Sequence, residues 1–261
     1  MVRTASALFL VSLTVPIVLY SPSWFFSLFV ISVCSIIAYE YNQLSRKIFP
    51  EITAWDVILD VILFIFFACY TDYLLFPLLF YLTLRILMKL FFSKSLISGF
   101  LSLGGIFLGV VWVALPGISI ILVERMELGR MLIVFLLILT WANDILAFLA
   151  GRGIGRKKLI PSISPNKTVE GSIAGLVGGT ISGVFLFRLL SSYDFGFLSI
   201  LLVSLTLSIL GQLGDLCESA FKRVAQVKDS SSLIPGHGGF FDRLDSFLFA
   251  IPFLFTVFQL V

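Results

Sequence analysis

Charge is scarce in this chain, and so are histidine and cysteine. Only 13% of its 261 residues are charged while 59% are hydrophobic, with 28 Phe and a mean hydropathy of +1.09. A soluble domain carries about a quarter charged residues, so this composition excludes one. The three cysteines, Cys34, Cys69 and Cys217, form no Cys-x-x-Cys pair, which removes a zinc ribbon and a disulfide framework. Cys34 and Cys69 read as small apolar residues inside hydrophobic runs. His237 is the sole histidine, so no His-based metal cluster exists. No internal repeat and no low-complexity tract occur. No Ala-x-Ala cleavage pattern follows the apolar run after Arg3, so that run is read as a span rather than a signal peptide. The hydrophobic runs are continuous rather than alternating, which excludes membrane β-strands.

What is present is a series of apolar runs near the 20 residues that cross a hydrocarbon core about 30 Å thick. Nine are read, at 5–20, 24–41, 55–70, 73–92, 98–122, 130–150, 168–190, 196–216 and 240–261. The fold class is therefore all-α, a polytopic integral membrane protein with about nine transmembrane helices. With the N-terminus in the cytoplasm, the inner side holds fourteen Lys and Arg, among them Arg46, Lys47, Arg152, Arg156, Lys157 and Lys158. The outer side holds Arg125, Arg130 and Arg188, and Arg85 falls within a span. This bias places the C-terminus outside. The net charge of +3 adds little more, and no nucleic-acid partner is expected. The cytoplasmic loops are 42–54, 151–167 and 217–239. The chain reads as one integral membrane domain over 1–261, with N-terminal helices of unassigned role in 1–95 and a catalytic motif region in 140–246.

Small residues give one span a distinct face: Gly171, Gly175, Gly179 and Gly183 recur every fourth position. That spacing lets helix backbones approach closely, and helix packing is favoured over a smooth wall for a lipid tail. Pro77, Pro116 and Pro252 lie inside spans and are expected to bend them.

The scarce charge is concentrated. Ser219 to Asp245 reads SAFKRVAQVKDSSSLIPGHGGFFDRLD, crowding acids and bases against the last span. In the nine-span topology, Asp144, Asp215, Asp242 and Asp245 collect near the cytoplasmic ends of their helices. For Glu40 and Asp56, an acid reaching water or a lysine at a helix end is explanation enough. For the other four it is not, because they repel one another unless a cation sits among them. Asp215, Glu218, Ser219 and Lys222 fall at i, i+3, i+4 and i+7, one face if the eighth helix continues. Asp242 and Asp245 share a face of the next helix. Hard oxygen ligands suit Mg²⁺, held by Asp215, Asp242 and Asp245 with Asp144 as a further contributor. Lys167, Lys222, Arg223, Lys228 and Arg243 suit phosphate oxygens. Together these are the parts of phosphoryl or nucleotidyl transfer. The loop Pro235-Gly236-His237-Gly238-Gly239 adds backbone amides that can approach an anion. The segment SPNKTVEG, Ser164 to Gly171, opens a helix with a lysine, a hydroxyl and an acid, and a helix N-terminus attracts anions.

These residues resemble the signature of phosphatidate cytidylyltransferases, also called CDP-diacylglycerol synthases. The resemblance rests on the run from Ser219 to Asp245, on Gly214-Asp215-Leu216 with Glu218-Ser219, and on Ser164 to Gly171. Asp144, Ala147, Gly151, Arg152 and Gly155 extend it, covering about 140 to 246. Asn166 stands where many members carry Lys, and Phe148 replaces a frequent Tyr. The resemblance implies transfer of CMP from CTP to phosphatidic acid with Mg²⁺, giving CDP-diacylglycerol and pyrophosphate. It implies catalytic roles for Asp215, Lys222, Arg223, Asp242 and Asp245. Substrate contacts are implied for Lys167, Ser219, Lys228, His237, Gly238, Gly239 and Arg243. A homodimer served by the glycine-rich span and a multi-pass inner-membrane location with a cytoplasmic site follow as expectations, with a second, monovalent cation as a subsidiary one. The site is expected to open to the cytoplasm and sideways to the inner leaflet. A transporter would set its charges near the midplane between repeats, and enzymes that consume CDP-diacylglycerol carry an Asp-Gly-x-x-Ala-Arg motif absent here.

Overall fold

In the computed structural model, residues 2–49, 51–53, 56–58, 60–62, 65, 75–190, 196–234 and 238–260 are described. The helices are α1 (Val2–Tyr20), α2 (Ser23–Ile48), α3 (Leu75–Phe92), α4 (Leu96–Gly109), α5 (Leu115–Glu124), α6 (Gly129–Gly153), α7 (Val169–Leu190), α8 (Phe197–Val224) and α9 (Phe241–Gln259). Residues 56–58, 60–62 and 65 are also helical, while most of the third expected span, with Cys69, lies outside the described residues. Five segments are long and apolar enough to cross a membrane: α2, the 29-residue run Leu96–Glu124, α6, α7 and α8. The all-α membrane class follows directly from these segments. α9 has 19 residues, about 28 Å of helix, and is apolar beyond a first two turns that hold Asp242, Arg243 and Asp245.

Two loops differ from the sequence expectation. α8 runs on to Val224, well past 216, so Glu218, Ser219, Lys222 and Arg223 are helical and share the face that their spacing implied. Loop 151–167 contains an antiparallel hairpin, β1 (Lys158–Ile160) with β2 (Ser164–Thr168), pairing Lys158 with Thr168 and Ile160 with Ser164. A short hairpin leaves little hydrophobic periodicity to read, and Pro165 masks the strand.

The glycine face of α7 is filled from within the chain. A Cβ on Gly175 would stand 2.5 Å from Asn143 Oδ1 of α6, and one on Gly183 would stand 2.7 Å from Leu139 Cδ1 of α6 and Ser204 Oγ of α8. These are distances no real methyl tolerates, so the stripe exists to seat α7 against α6 and α8.

α4 and α5 form one helix interrupted by a π-helical turn, Val110–Ala114, just before Pro116. A proline cannot donate to the carbonyl four residues back, and a local π adjustment is one way a helix absorbs that loss. The turn places Trp112 edge-on to Phe221 and Phe241, with ring centroids 5.8 and 5.5 Å away. Tyr41 stacks on Phe221 at 5.1 Å, and its hydroxyl donates to Gly105 O at 2.6 Å. Each of three rings neighbours a charged residue in sequence: Tyr41 follows Glu40, Phe221 precedes Lys222, and Phe241 precedes Asp242. The aromatic cluster therefore fixes the helix ends from which the polar groups project.

Away from the candidate site, Arg85 of α3 is held by two acids. Its guanidinium lies 2.8 Å from Asp56 and 3.3 Å from Asp60, and Lys89 reaches Asp56 at 3.2 Å. At another helix junction Arg130 pairs with Glu124 at 2.8 Å and covers the Phe26 ring.

Candidate active site

α8 supplies one wall. Asp215, Glu218, Ser219 and Lys222 lie along one face over two helical turns, and Ser219 Oγ donates to Asp215 Oδ1 at 3.5 Å. α9 enters beside it, because Gly214 of α8 admits it closely: a Cβ there would come within 2.7 Å of Asp245 O. That approach brings the carboxylates of Asp215, Glu218 and Asp245 together, with one oxygen of each within 4.8 Å of the others. Glu218 and Asp245 are buried while Asp215 is partly exposed.

An ion-pair chain runs from this cluster. Lys222 Nζ lies 2.6 Å from Glu218 Oε2 and 2.7 Å from Asp242 Oδ1. Asp242 also accepts from Ser230 N at 2.9 Å, Ser230 Oγ at 2.9 Å and Gly239 N at 2.8 Å. Glu40, on α2 and fully buried, accepts from Ser231 Oγ at 2.6 Å, Ser230 Oγ at 3.2 Å, Phe240 N at 3.1 Å and Phe241 N at 2.7 Å. The last two amides belong to the start of α9, where donors lack intrahelical partners. Gly238, at φ 80°, adopts the left-handed turn this path requires.

The hairpin supplies the opposite wall. Thr168 caps α7, its Oγ1 accepting from Gly171 N at 3.1 Å. The Glu170 carboxylate accepts from Arg156 N at 3.0 Å and Lys157 N at 3.2 Å, tying the end of α6 to the start of α7. The hairpin then projects Lys167, whose Nζ lies 2.5 Å from Asp215 Oδ2. Lys167 and Asp215 face a cavity of about 420 Å³ that also reaches Asp144, Phe148, Arg152 and Gln212. Below it, Gln212 Nε2 donates to Asn143 Oδ1 at 2.8 Å and Ser172 O at 2.9 Å, and Asn143 Nδ2 donates to Ser208 O at 2.8 Å. This amide chain satisfies the polar floor of the cavity.

The acidic cluster suits a divalent cation. Among the described residues Glu218 Oε1 is buried with no hydrogen-bond partner, and three clustered carboxylates are the hard donors that Mg²⁺ takes.

A profile of the cytidylyltransferase family matches residues 1–261. The chain belongs to that family. Among curated relatives, the Bacillus subtilis phosphatidate cytidylyltransferase is 39% identical over 186 residues, covering 71% of this chain and 67% of the relative. The Staphylococcus haemolyticus phosphatidate cytidylyltransferase is 45% identical over 126 residues, covering 48% of each. The Escherichia coli protein named "Uncharacterized protein YnbB" is 36% identical over 245 residues, covering 91% of this chain and 80% of its own length. The matched stretch spans about half of the staphylococcal relative. The resemblance stated from the sequence motifs is thus borne out, as is membership of an enzyme family of nucleotidyltransferases.

For this cytidylyltransferase-family chain, the structure regroups several residues that the sequence had assigned together. Asp215 and Asp245 meet as expected, but their third partner is Glu218, and Asp242 is turned to Lys222 and loop amides instead. Counting acids by motif could not separate the two, since Asp242 and Asp245 differ by less than one helical turn. Asp144 shares the cavity with Asp215 but stands outside the three-carboxylate group. The amide of Gly239 binds a protein carboxylate, not an open anion site, and a Cβ on Gly238 would stand 2.5 Å from Asp242 Oδ2. Arg223 donates to Ile163 O and Val227 O, each at 3.1 Å, bracing the hairpin against the end of α8 rather than presenting a free fork. Lys228 and Arg243 are exposed. Pro235, Gly236 and His237 lie outside the described residues. The two departures from the family pattern, Phe148 and Asn166, both line the cavity. Glu40 was missed as a site residue because an acid followed by Asn42, Gln43, Arg46 and Lys47 reads as an ordinary polar helix end; only the fold brings it to Ser230, Ser231, Phe240 and Phe241.

Proposed function

We propose that this protein transfers CMP from CTP to phosphatidic acid, releasing CDP-diacylglycerol and pyrophosphate. The observation that carries the reading is the cluster of Asp215, Glu218 and Asp245 beside Lys167, at the edge of a cavity with both charged and apolar walls. The names of the Bacillus and Staphylococcus relatives support the same substrates.

In this reaction an oxygen of the lipid phosphate attacks the α-phosphorus of CTP. A new P–O bond forms there as the bond to the β-phosphate oxygen breaks, and pyrophosphate departs with that electron pair. The lipid brings its own nucleophile, so the protein needs no serine or cysteine. Its task is alignment and neutralisation of charge. Asp215, Glu218 and Asp245 would hold Mg²⁺, which supplies positive charge to the triphosphate when bound. Lys167 from the hairpin and Arg152 from the end of α6 offer cations, and Lys222 directs the Glu218 carboxyl by pairing with it. Phe148 and Leu216 give the cavity apolar surface suited to the glycerol and first acyl carbons.

The site is assigned to the cytoplasmic face of an inner membrane in a multi-pass chain of nine spans, N-terminus inside, on the strength of the Lys and Arg bias. CTP would enter from water and the lipid sideways from the inner leaflet. The test is direct. Purified protein in detergent receives labelled CTP, phosphatidic acid and Mg²⁺, and lipid-soluble CMP is counted. Incorporation that requires both substrates is expected; none in several detergents that keep the protein folded would overturn the reading.

A further inference from the structure

We infer that Glu40 is a positioning residue for the transfer proposed above, acting from the N-terminal helices on the catalytic end of the molecule. Resting on that reading, it gives α2 a role that the sequence motifs do not assign.

The side chain is 0% exposed and its two oxygens accept four hydrogen bonds, all from residues about 190 to 200 positions away in sequence. Two donors are backbone amides at the start of α9, so the carboxylate does for that helix what a bound anion or capping side chain otherwise does. The other two are the hydroxyls of Ser230 and Ser231. Ser230 is shared: its Oγ lies 3.2 Å from Glu40 Oε2 and 2.9 Å from Asp242 Oδ2. Glu40 is therefore joined through Ser230 to Asp242, through Asp242 to Lys222, and through Lys222 to Glu218 in the carboxylate cluster. It also anchors Phe241, one turn before Asp245. Gly239 makes the arrangement possible, since any side chain there would overlap Ser230 Oγ and both Glu40 oxygens.

A buried carboxylate is costly unless its lone pairs are filled, and here two backbone amides and the Ser231 hydroxyl fill them, with the single Ser230 proton shared between Glu40 and Asp242. The partners of Glu40 among the described residues are Ser230, Ser231, Phe240 and Phe241 rather than Asp215, Glu218 or Asp245, so it acts through other residues. Residues that orient metal ligands in this way change metal affinity or activity by about 10- to 100-fold when replaced. Replacing Glu40 by Gln puts an amide N–H against a donor in place of one acceptor, which releases one side of the loop while keeping the volume.

The experiment uses the full-length protein in detergent or nanodiscs and reads two quantities. The first is the rate of CMP incorporation as a function of Mg²⁺ concentration. The second is hydrogen exchange of the amides at 239–241. Glu40→Gln is expected to lower kcat at least tenfold, to raise the Mg²⁺ concentration for half-maximal rate several-fold, and to speed exchange at 239–241 at least tenfold. Glu40→Asp, which keeps the charge, should recover part of kcat. Should Glu40→Gln fail to fold, Ser231→Ala removes only the 2.6 Å bond and should shift the Mg²⁺ dependence and exchange in the same direction, by less. Parent-like Mg²⁺ dependence in these variants, with losses that track only the fraction of folded protein, would reduce Glu40 to a structural residue and overturn the inference. If the parent itself transfers no CMP, the proposed function fails, whereas fast exchange at 239–241 in the parent would overturn the clamp independently of it.

Discussion

Replacing Gly239 by Ala adds one methyl group at the tightest point of the site. That methyl would overlap Ser230 Oγ and both Glu40 oxygens. The Glu40 side chain is buried with both oxygens engaged, so it has nowhere to retreat, and the Ser230 hydroxyl must swing away. Doing so breaks its bonds to Glu40 at 3.2 Å and to Asp242 at 2.9 Å. Overpacking costs about 1–3 kcal/mol, and a hydrogen bond to a charged group is worth about 1.5–3 kcal/mol. Even with partial relaxation the closed loop should be destabilised by about 3 kcal/mol, which at 1.4 kcal/mol per decade is roughly a hundredfold shift toward an opened loop. Initial rates of CMP incorporation, normalised to folded protein, should fall by a comparable factor. Gly153→Ala is the control, because a methyl there meets nothing within 4 Å. A Gly239→Ala protein within threefold of the parent rate would refute the reasoning that loop 238–241 is held tightly around Glu40 and Asp242.

Other substitutions separate the roles assigned above. Glu218→Gln and Asp215→Asn should each raise the Mg²⁺ concentration for half-maximal rate at least tenfold with little change in Tm, whereas Asp242→Asn, which loses the pair with Lys222, should raise it several-fold and lower Tm as well; titration with Mg²⁺ and thermal scans in detergent distinguish them. Lys167→Ala frees Asp215 from its 2.5 Å partner and should raise KM for CTP about tenfold, read from initial rates, with Lys167→Arg recovering part of the loss. Arg223→Lys can keep only one of the two carbonyl contacts and should lower Tm by a few degrees with a modest rate loss, so a rate loss above a hundredfold at unchanged Tm would instead place Arg223 on substrate phosphate.

The sequence made much of this legible, and its failures have physical causes. Continuous apolar runs mark helices in a membrane solvent strongly, because backbone groups there must be satisfied within the segment. The bounds of α6, α7 and α8 accordingly fell close to expectation at their apolar ends. The polar ends were the uncertain part. α8 continues through Glu218, Lys222 and Arg223 although its hydrophobicity stops near Leu216, since side chains there find partners on α9 and the hairpin. Within the motif region, spacing identified the charged residues but not which of them meet. Asp242 and Glu218 exchange roles because the loop preceding α9 wraps Asp242 in amides, leaving Glu218 to face Asp215 and Asp245. The glycine stripe on α7 was legible as packing, but its partner was not: periodicity reveals a smooth face, and only the fold identifies α6 and α8 as what fills it. Glu40 was illegible for a related reason. A single acid at the end of an apolar helix looks the same whether it reaches water or receives four hydrogen bonds from a loop far along the chain.

The measurement that bears most directly on the central claim is the fate of the individual phosphates of CTP. Purified protein is incubated with phosphatidic acid, Mg²⁺ and CTP carrying a phosphorus label in either the α or the γ position, with Asp245→Asn run in parallel. The account predicts that α-label enters the lipid phase in proportion to phosphatidic acid consumed, that γ-label remains in water as pyrophosphate, and that Asp245→Asn does neither. Transfer of γ-label to lipid, release of label without phosphatidic acid, or full activity in Asp245→Asn would contradict it.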